Sequence, residues 1–193
     1  MSKLETNTID NISGSSTLNI GDTNATAVTI DSGVSTVTIP NGAATGQNYP
    51  AFEANLSSSQ TGLTSSTWTK MQFNTERFDT DNMYDDSTNY RFTPTVAGKY
   101  HTYLFGDIFS DTLYQANVFN VAIYKNGSLL YYAPNNSNPS YYENERTVSL
   151  TATIDMNGTS DYLEGYARVS TGSGTWSIGG ASYSYFGAYR IGA

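Results

Sequence analysis

The stretch from Thr147 to Asp155 alternates strictly between polar and apolar residues, and this pattern constrains the fold most. Successive side chains of a strand point to opposite faces, so a period of two indicates a strand with one buried face. The stretch 118–124 alternates similarly, which predicts that Phe119, Val121 and Ile123 face inward. No comparable amphipathic helical run occurs, and Thr, Val, Ile and Tyr favour pleated surfaces. The sequence therefore predicts an almost wholly β protein.

Two Asn-Gly pairs, Asn126-Gly127 and Asn157-Gly158, lie between apolar runs. A type I′ turn needs positive φ at both central residues, so each pair predicts a β-hairpin. Further strands are predicted over 51–56, 67–73, 89–93, 99–106, 162–169 and 183–191. Eight to ten short strands separated by turns predict a β-sandwich or a jelly roll.

Composition limits the classes of partner and chemistry. The 193 residues include no cysteine, so neither a disulfide nor a catalytic thiolate is available. Nine Lys and Arg against 17 Asp and Glu give a net charge of −8, which argues against binding to nucleic acid or anionic lipid. No run approaches the ~20 apolar residues of a membrane span, and the start lacks the apolar segment of a signal peptide. We expect a protein made in a cytoplasm, without membrane insertion.

Residues 1–46 contain no Phe, Tyr or Trp, and they repeat an apolar triplet followed by turn-forming residues. The triplets end at Ile20, Ile30 and Ile39, ten and nine positions apart. One chain of this kind buries too little apolar surface to offset its chain entropy, but three chains can point these isoleucines at a shared axis. We predict a trimeric β-repeat stem over 1–46 and a head domain over 47–193. The alternative is a disordered linker rich in Ser and Thr.

From Phe73 onward the spacing of aromatic residues and glycine becomes specific. The pattern is an aromatic residue, an aspartate, two further aromatic residues and a Gly-x-Tyr sequence: Phe73, Asp79, Tyr84, Phe92, Gly98 and Tyr100. Over residues 49–193 the chain resembles the globular head of complement subcomponent q and its tumour-necrosis-factor-like (TNF-like) relatives. It departs from them in the seven residues between Tyr84 and Phe92, where the family usually has six, and in Thr102 and Leu104, where aromatic residues are usual. With its Ser- and Thr-rich N-terminal segment it is similar to heads of this kind on bacteriophage fibres.

The resemblance implies a ten-stranded jelly roll that assembles as a tight homotrimer. Family trimers bury aromatic residues of the first and last strands along the threefold axis. Carried over to this chain, the candidates for the trimer core are Phe52, Phe186 and Tyr189. A trimeric stem and a trimeric head would share one symmetry axis.

Catalytic or metal-binding patterns are scarce in this sequence. A Ser-His-Asp triad would have to use His101, the one histidine, and no nucleophile elbow or nucleotide-binding fingerprint occurs. We predict a histidine on a strand surface, no enzyme activity and no cofactor. Carboxylates cluster over 79–86 and at Asp107 and Asp111. Solvated loop carboxylates are the default interpretation. The alternatives are glycan hydrolysis and a structural calcium ion, which some relatives bind near the trimer apex.

The stretch 131–142 is a polar segment with a pair of tyrosines at each end. Tyr, Ser and Asn give adaptable contacts at a low entropic cost, as in binding loops. The candidate ligand-binding residues are Tyr132, Asn135, Asn136, Tyr141 and Tyr142. The alternative is that the tyrosine pairs end strands and cap the sandwich.

These observations together favour a viral structural fibre of a phage tail, neck or capsid. Such a homotrimer would reside in the virion, dock on another virion protein through its N-terminal segment, and bind a host glycan or protein or decorate the particle. Three identical sites on one axis would raise its avidity. The alternatives are a soluble cytokine-like or lectin-like binding module and a glycan-cleaving tailspike.

Overall fold

The computed structural model describes residues 50–135, 142–181 and 183–192. These residues form thirteen strands and no helix, so the described chain has no helix that could cross a membrane. The predicted stem, with Ile20, Ile30 and Ile39, lies outside the described residues and stays a prediction.

The strands vary from short edge segments of two residues to a central strand of thirteen. In chain order they are β1 (Ala51–Asn55), β2 (Gln60–Leu63), β3 (Thr69–Lys70), β4 (Thr75–Asp79), β5 (Tyr84–Asp85), β6 (Arg91–Phe92), β7 (Gly98–Ser110), β8 (Ala116–Lys125), β9 (Ser128–Ala133), β10 (Glu145–Met156), β11 (Leu163–Thr171), β12 (Trp176–Ile178) and β13 (Tyr185–Gly192).

Two antiparallel sheets form the sandwich. In the first sheet β7 is central: β10 pairs along one edge, and β12 and β13 pair with successive stretches of the other. Strands β2, β1 and β4 complete this sheet. The second sheet has the order β5-β6-β11-β8-β9, and β3 also pairs with β11. The predicted all-β jelly roll is confirmed, although it contains more short strands than the pattern indicated.

Aromatic rings from both sheets meet in the core. Phe52 of β1 stacks on Tyr84 at 4.7 Å and on Phe92 at 4.5 Å between ring centroids. Its edge contact with Phe186 of β13 measures 5.2 Å. Offset and edge-on ring pairs add about 0.5–1.5 kcal/mol each beyond their buried area. This cluster therefore joins the two sheets.

The residues of the spaced aromatic pattern have structural roles. The buried Tyr84 hydroxyl donates to the Phe73 carbonyl at 3.1 Å, and the Tyr84 amide donates to the Asp79 carboxylate at 2.7 Å. Gly98 has a φ of 146°, and a Cβ there would overlap the carbonyl of Gly192. The spacing thus specifies packing and a close backbone approach.

The predicted alternation is confirmed in both strands. In β10 the apolar residues face inward and their Ser and Thr neighbours are exposed. In β8 the side chains of Phe119, Val121 and Ile123 are fully buried. Asn120 and Ala122, on the opposite side of β8, are buried as well. The outer side of the second sheet is therefore covered at this strand.

The two Asn-Gly pairs have different outcomes. Asn126 and Gly127, with φ of 53° and 74°, join β8 to β9 as the predicted hairpin. The hairpin prediction for Asn157-Gly158 is wrong, because β10 and β11 belong to different sheets. The Asn157 side-chain oxygen accepts hydrogen bonds from the next backbone amides, including Thr159 at 2.9 Å, and so shapes a crossover loop. The Asn157-Gly158 dipeptide therefore specified a turn, but it did not specify which strand pairs with β10.

Two other predicted strands are mostly loop. Only Thr69–Lys70 of the predicted 67–73 and Arg91–Phe92 of 89–93 have strand structure. Both segments lie beside β11 and pair with it over one or two residues, which limits their length.

Candidate functional site

The outward side of the first sheet carries large side chains that the protomer itself does not bury. Paired positions on β7 and β13 point outward together, because Tyr185 is opposite Phe105 and Tyr189 is opposite His101. Tyr189 is 46% exposed and Ile191 is 53% exposed. We name this surface the aromatic face and define it by six residues: His101, Tyr103, Phe105, Tyr185, Tyr189 and Ile191.

The rings of the aromatic face pack against one another. Phe105 stacks on Tyr185 at 4.6 Å, and the His101 ring lies 5.3 Å from Tyr189. Tyr103 contacts Tyr185 edge-on at 6.3 Å. Gly187 makes room for Tyr103, since a Cβ at position 187 would overlap the Tyr103 ring. The surface is therefore preorganised by its own contacts.

One ion pair anchors the border of the aromatic face. Glu53 of β1 accepts a hydrogen bond from the Tyr103 hydroxyl at 2.8 Å and pairs with Arg77 of β4 at 2.6 Å. The Arg77 guanidinium also lies 5.7 Å from the centroid of the Tyr185 ring. Burial, together with the hydrogen bond to Glu53, raises the pKa of Tyr103, so this hydroxyl stays protonated. Both rings are thus held in place by charged neighbours.

A second exposed apolar surface lies at the margin of the second sheet. Strand β9 is an edge strand, and its four central residues are between 38% and 50% exposed: Leu129, Leu130, Tyr131 and Tyr132. We name them the apolar edge. Alternate residues of a strand normally lie on a covered and an open face, but here both faces are open. Apolar edge strands that stay uncovered pair or aggregate readily, so Leu129 and Tyr131 are candidates for contact with a partner.

The structure places the predicted trimer-core residues of the head in two environments. Phe52 and Phe186 are fully buried inside the protomer, where they pack against Tyr84 and Phe92. Tyr189 lies on the aromatic face. Phe52 and Phe186 therefore point into the protomer, and the prediction that the first and last strands line a trimer axis stays a prediction.

The predicted ligand-binding residues do not form one described cluster. Asn136 and Tyr141 lie outside the described residues. Asn135 has a packing role: its carbonyl accepts from the Phe119 amide at 2.9 Å, and its side chain accepts from Arg146. Tyr142 is exposed and lies near Gly172, whereas Tyr132 contacts Trp68. Of the three predicted residues that the structure describes, Tyr132 and Tyr142 present exposed rings.

The outward side of the second sheet carries an aromatic cluster that sequence reasoning missed. The Trp68 ring makes edge-on contacts at 6.3 Å with Tyr124 of β8 and with Tyr132 of β9. Tyr124 in turn stacks on Tyr166 of β11 at 4.0 Å. We name Trp68, Tyr124, Tyr132 and Tyr166 the aromatic platform. Its rings surround the small residue Ala122, the register partner of both Tyr132 and Tyr166, and thereby account for its complete burial.

Charged side chains border the aromatic platform. Lys70 pairs with the buried carboxylate of Glu164, and its ammonium group lies 6.0 Å from the centroid of the Tyr166 ring. Burial and the charge of Glu164 raise the pKa of Tyr166 to about 12. The Arg168 guanidinium lies 5.5 Å from the centroid of the Trp68 ring. No sequence motif indicated this arrangement, because its members come from four separate stretches of chain.

The carboxylate clusters are largely engaged in local hydrogen bonds. Asp85 accepts from the amide of Thr88 at 2.8 Å and from the side chain of Asn89 at 2.6 Å. These bonds, the Thr88 amide first, hold the pKa of Asp85 well below its usual range despite partial burial. The Asp111 carboxylate accepts from the Thr175 hydroxyl. Within residues 50–135, 142–181 and 183–192, no group of three or more His, Asp or Glu side chains is placed to hold a metal ion.

One carboxyl group on the first sheet has a raised pKa, in contrast to Asp85. Asp107 is almost fully buried beside β10, and burial followed by the nearby Glu145 carboxylate raises the pKa of Asp107. A carboxylate beside a like charge in a poorly hydrated place favours its protonated form.

Comparison with known proteins establishes the fold alone. No protein-family model and no curated sequence matches the chain. Its structure is similar to the crystal structure of murine APRIL at pH 5.0, with a TM-score of 0.53 and 7% identity over 75% of this chain and 100% of that chain. It is similar to Eiger TNF from S. frugiperda, with a TM-score of 0.51 and 9% identity over 74% of this chain and 91% of that chain. The globular domain of zebrafish complement 1qA gives a TM-score of 0.47, with 13% identity over 74% of this chain and 97% of that chain.

Nothing in these comparisons points to a bacteriophage or a virion, so that part of the prediction has no support from them. The likeness covers about three quarters of this chain and at least 91% of the APRIL and Eiger TNF chains. The described part of this chain therefore has the TNF-like jelly-roll fold.

Proposed function

We propose that this chain is a non-enzymatic binding module that works as a homotrimer of TNF-like jelly-roll protomers. This is the cytokine-like or lectin-like alternative of the sequence analysis. The fold supports it, because one of the similar structures is itself named a TNF. Fold alone does not determine function, and the surfaces of this chain provide further support.

The aromatic face carries the proposal. Monomeric proteins usually expose apolar residues singly, and these need no partner. Here five large side chains lie together on one side of one sheet, which is unusual for a monomer: His101, Phe105, Tyr185, Tyr189 and Ile191. Protein interfaces are also enriched in aromatic residues, and their centres contain few charged residues. The aromatic face fits that description, because its charged pair, Glu53 and Arg77, lies at its border.

The apolar edge supplies a complementary surface on the same protomer. An edge that packs on the aromatic face of the next copy makes a heterologous contact, which closes into a ring when the rotation fits. Such a contact would cover Leu129 and Tyr131 of one copy and Tyr189 of its neighbour. The TNF-like fold and the resemblance to trimeric heads favour three copies in that ring. Phe52 and Phe186 would support the interface from within each protomer.

The mass of the full chain in solution tests this proposal. At micromolar concentration we expect a mass three times the 21.0 kDa of one chain, measured by light scattering. Tyr189→Asp places a charge in the centre of the proposed contact, which costs several kcal/mol when unpaired, and should shift the mass to that of a monomer. Leu113→Asp alters a side chain that is more exposed, at 67% against 46% for Tyr189, but lies in the loop after β7, and it should leave the trimer intact. A folded, compact monomer of the unchanged chain would contradict the proposal.

A second candidate is the virion fibre, and one observation favours it. The repeated triplets ending at Ile20, Ile30 and Ile39 suit a trimeric stem that places the head on a particle. In that case the N-terminal segment would dock on another virion protein and the head would bind a host surface. Electron microscopy of purified particles, with an antibody to the head, tests this candidate. Particles without bound antibody would exclude it.

A further inference from the structure

We propose that Arg168, Trp68 and Tyr132 form a site for a carboxylate-bearing sugar on the outward side of the second sheet. The inference rests on the proposed binding function and names its ligand class and its location. It uses the aromatic platform, which lies on the opposite sheet from the aromatic face.

Arg168 supplies the first observation. Its Nε donor is buried without an acceptor, and no carboxylate in the described part of the chain lies within salt-bridge reach of its guanidinium. An unsatisfied buried donor of this kind is destabilising, and native structures retain few of them. On the same side of the sheet Lys70 and Glu164 neutralise each other. The Arg168 side chain is partly exposed although its Nε is buried, so its terminal guanidinium nitrogens make it the platform cation that can meet an anionic ligand.

The rings beside Arg168 supply the second observation. The Trp68 ring centroid is 5.5 Å from the Arg168 guanidinium and 6.3 Å from the ring centroid of Tyr132. Tyr132 is half exposed, whereas Tyr124 and Tyr166 stack on each other and lie deeper. The face of an aromatic ring is its negative side, so it attracts the weakly positive C–H groups of a sugar ring. The site thus presents stacking surface next to one cation.

This combination distinguishes an acidic sugar from other anionic ligands. A guanidinium binds a carboxylate through two parallel hydrogen bonds, which gives both energy and orientation. A net charge of −8 opposes the approach of polyanions such as nucleic acid or a run of acidic residues. The Arg168 guanidinium beside the exposed Tyr132 ring therefore suits a ligand that carries one carboxylate on one sugar ring. Three copies of a weak site on a trimer would then give useful avidity.

Tryptophan fluorescence of the full chain provides the measurement. The chain has two tryptophans, and because Trp176 is fully buried, a ligand-dependent change reports on Trp68. The probes are an oligosaccharide that ends in glucuronic acid and the same oligosaccharide ending in glucose. We expect a saturable change with the acidic probe and at least about tenfold weaker binding of the neutral one, since a charge-assisted hydrogen bond is lost.

Three variants define the site. Arg168→Gln removes the cation and should weaken binding of the acidic probe about tenfold or more. Tyr132→Ala removes a half-exposed ring from a strand edge, should fold normally, and should also weaken binding. Arg91→Gln is the matched control: Arg91 also lies on a ring, 4.5 Å from the centroid of Tyr162, but outside the platform, so affinity should not change.

Each outcome decides between the proposals. Equal binding of both probes, or unchanged binding by Arg168→Gln and Tyr132→Ala, would overturn the sugar site. Binding of a hexaglutamate peptide as tightly as the acidic sugar, with the same dependence on Arg168, would replace it with an acidic-peptide site. The mass is measured on the same samples. A trimer that fails to bind overturns this inference alone, and a monomer that binds overturns the trimer alone.

Discussion

The two outward sides of the sandwich are both rich in aromatic rings, yet they differ in how charge is arranged among them. On the aromatic face the ion pair of Glu53 and Arg77 is satisfied and lies at the border. On the aromatic platform Arg168 lies against the Trp68 ring with a buried donor that has no acceptor.

This difference indicates separate roles for the two sides. A surface whose charges are already paired loses little when another apolar surface covers it, which suits contact between copies. A surface with an unsatisfied cation gains most from an anion and loses most when an apolar surface covers it. Ring content alone would not have separated the two sides.

The largest effect is expected from Gly187→Ala on the aromatic face. The added Cβ would overlap the Tyr103 ring and displace it from the Glu53 carboxylate. Overpacking of this kind costs about 1–3 kcal/mol, and a displaced ring should also disrupt the proposed trimer. Gly192→Ala is the matched control in the same strand, because a Cβ there meets nothing within 4 Å. Equal mass and equal denaturation midpoints for both variants would show that Tyr103 is not part of an interface.

A smaller effect is expected from Trp68→Ala on the aromatic platform. This change removes the ring contacts with Tyr124 and Tyr132, so we expect a loss of about 2 kcal/mol, less than for a fully buried ring. Denaturant titration measures the loss, and light scattering should still give the mass of the trimer. A shift to monomer would remove the distinction between the two sides.

The smallest effect on stability is expected from replacing two aspartates whose pKa values are shifted in opposite directions. Burial and, second, the charge of Glu145 raise the pKa of Asp107 on the first sheet. The protonated Asp107 therefore stabilises the fold at low pH, and this contribution is lost as the pH rises through the raised pKa. Asp107→Asn should therefore stabilise the protein near neutral pH. Asp85, on the second sheet, has a lowered pKa because its carboxylate accepts hydrogen bonds from its loop, the Thr88 amide first. Its contribution is present above the usual carboxyl pKa and is lost as the pH falls, so Asp85→Asn should destabilise.

Thermal unfolding from pH 7 to pH 3 separates these two variants. Both changes should remain within about 1 kcal/mol. Asp107→Asn should converge on the parent protein below about pH 4, where the Asp107 carboxyl group is protonated. The difference for Asp85→Asn should only begin to shrink there and should persist at pH 3, because the pKa of Asp85 lies well below its usual range. If Asp107→Asn is destabilising at pH 7, the carboxylate has an unrecognised favourable partner.

The sequence predicted local structure better than it predicted neighbours. Alternation in β8 and β10 depends on residues that follow one another, and both strands formed as expected. Pairing depends on residues far apart in the chain: β10 lies beside β7, and Asn157-Gly158 crosses between sheets although it resembles a hairpin turn.

The sites were harder to predict than the fold for the same reason. The resemblance pointed to the first and last strands, but only register shows that Phe52 and Phe186 face inward while Tyr189 faces outward. The contact of Trp68 with Tyr132 joins residues 64 positions apart, and no local pattern reports such a distance.

The pairing of β1 with β13 has a consequence for biosynthesis. Ala51 and Tyr189 are partners in the register, so the middle of the first sheet cannot close until the ribosome has released Tyr189, 138 residues after Ala51. Topologies dominated by such distant partners fold in milliseconds to seconds, much more slowly than helical bundles. During that interval the nascent strands are exposed to the crowded cell interior. Chaperone dependence during translation is therefore an expected property of this architecture.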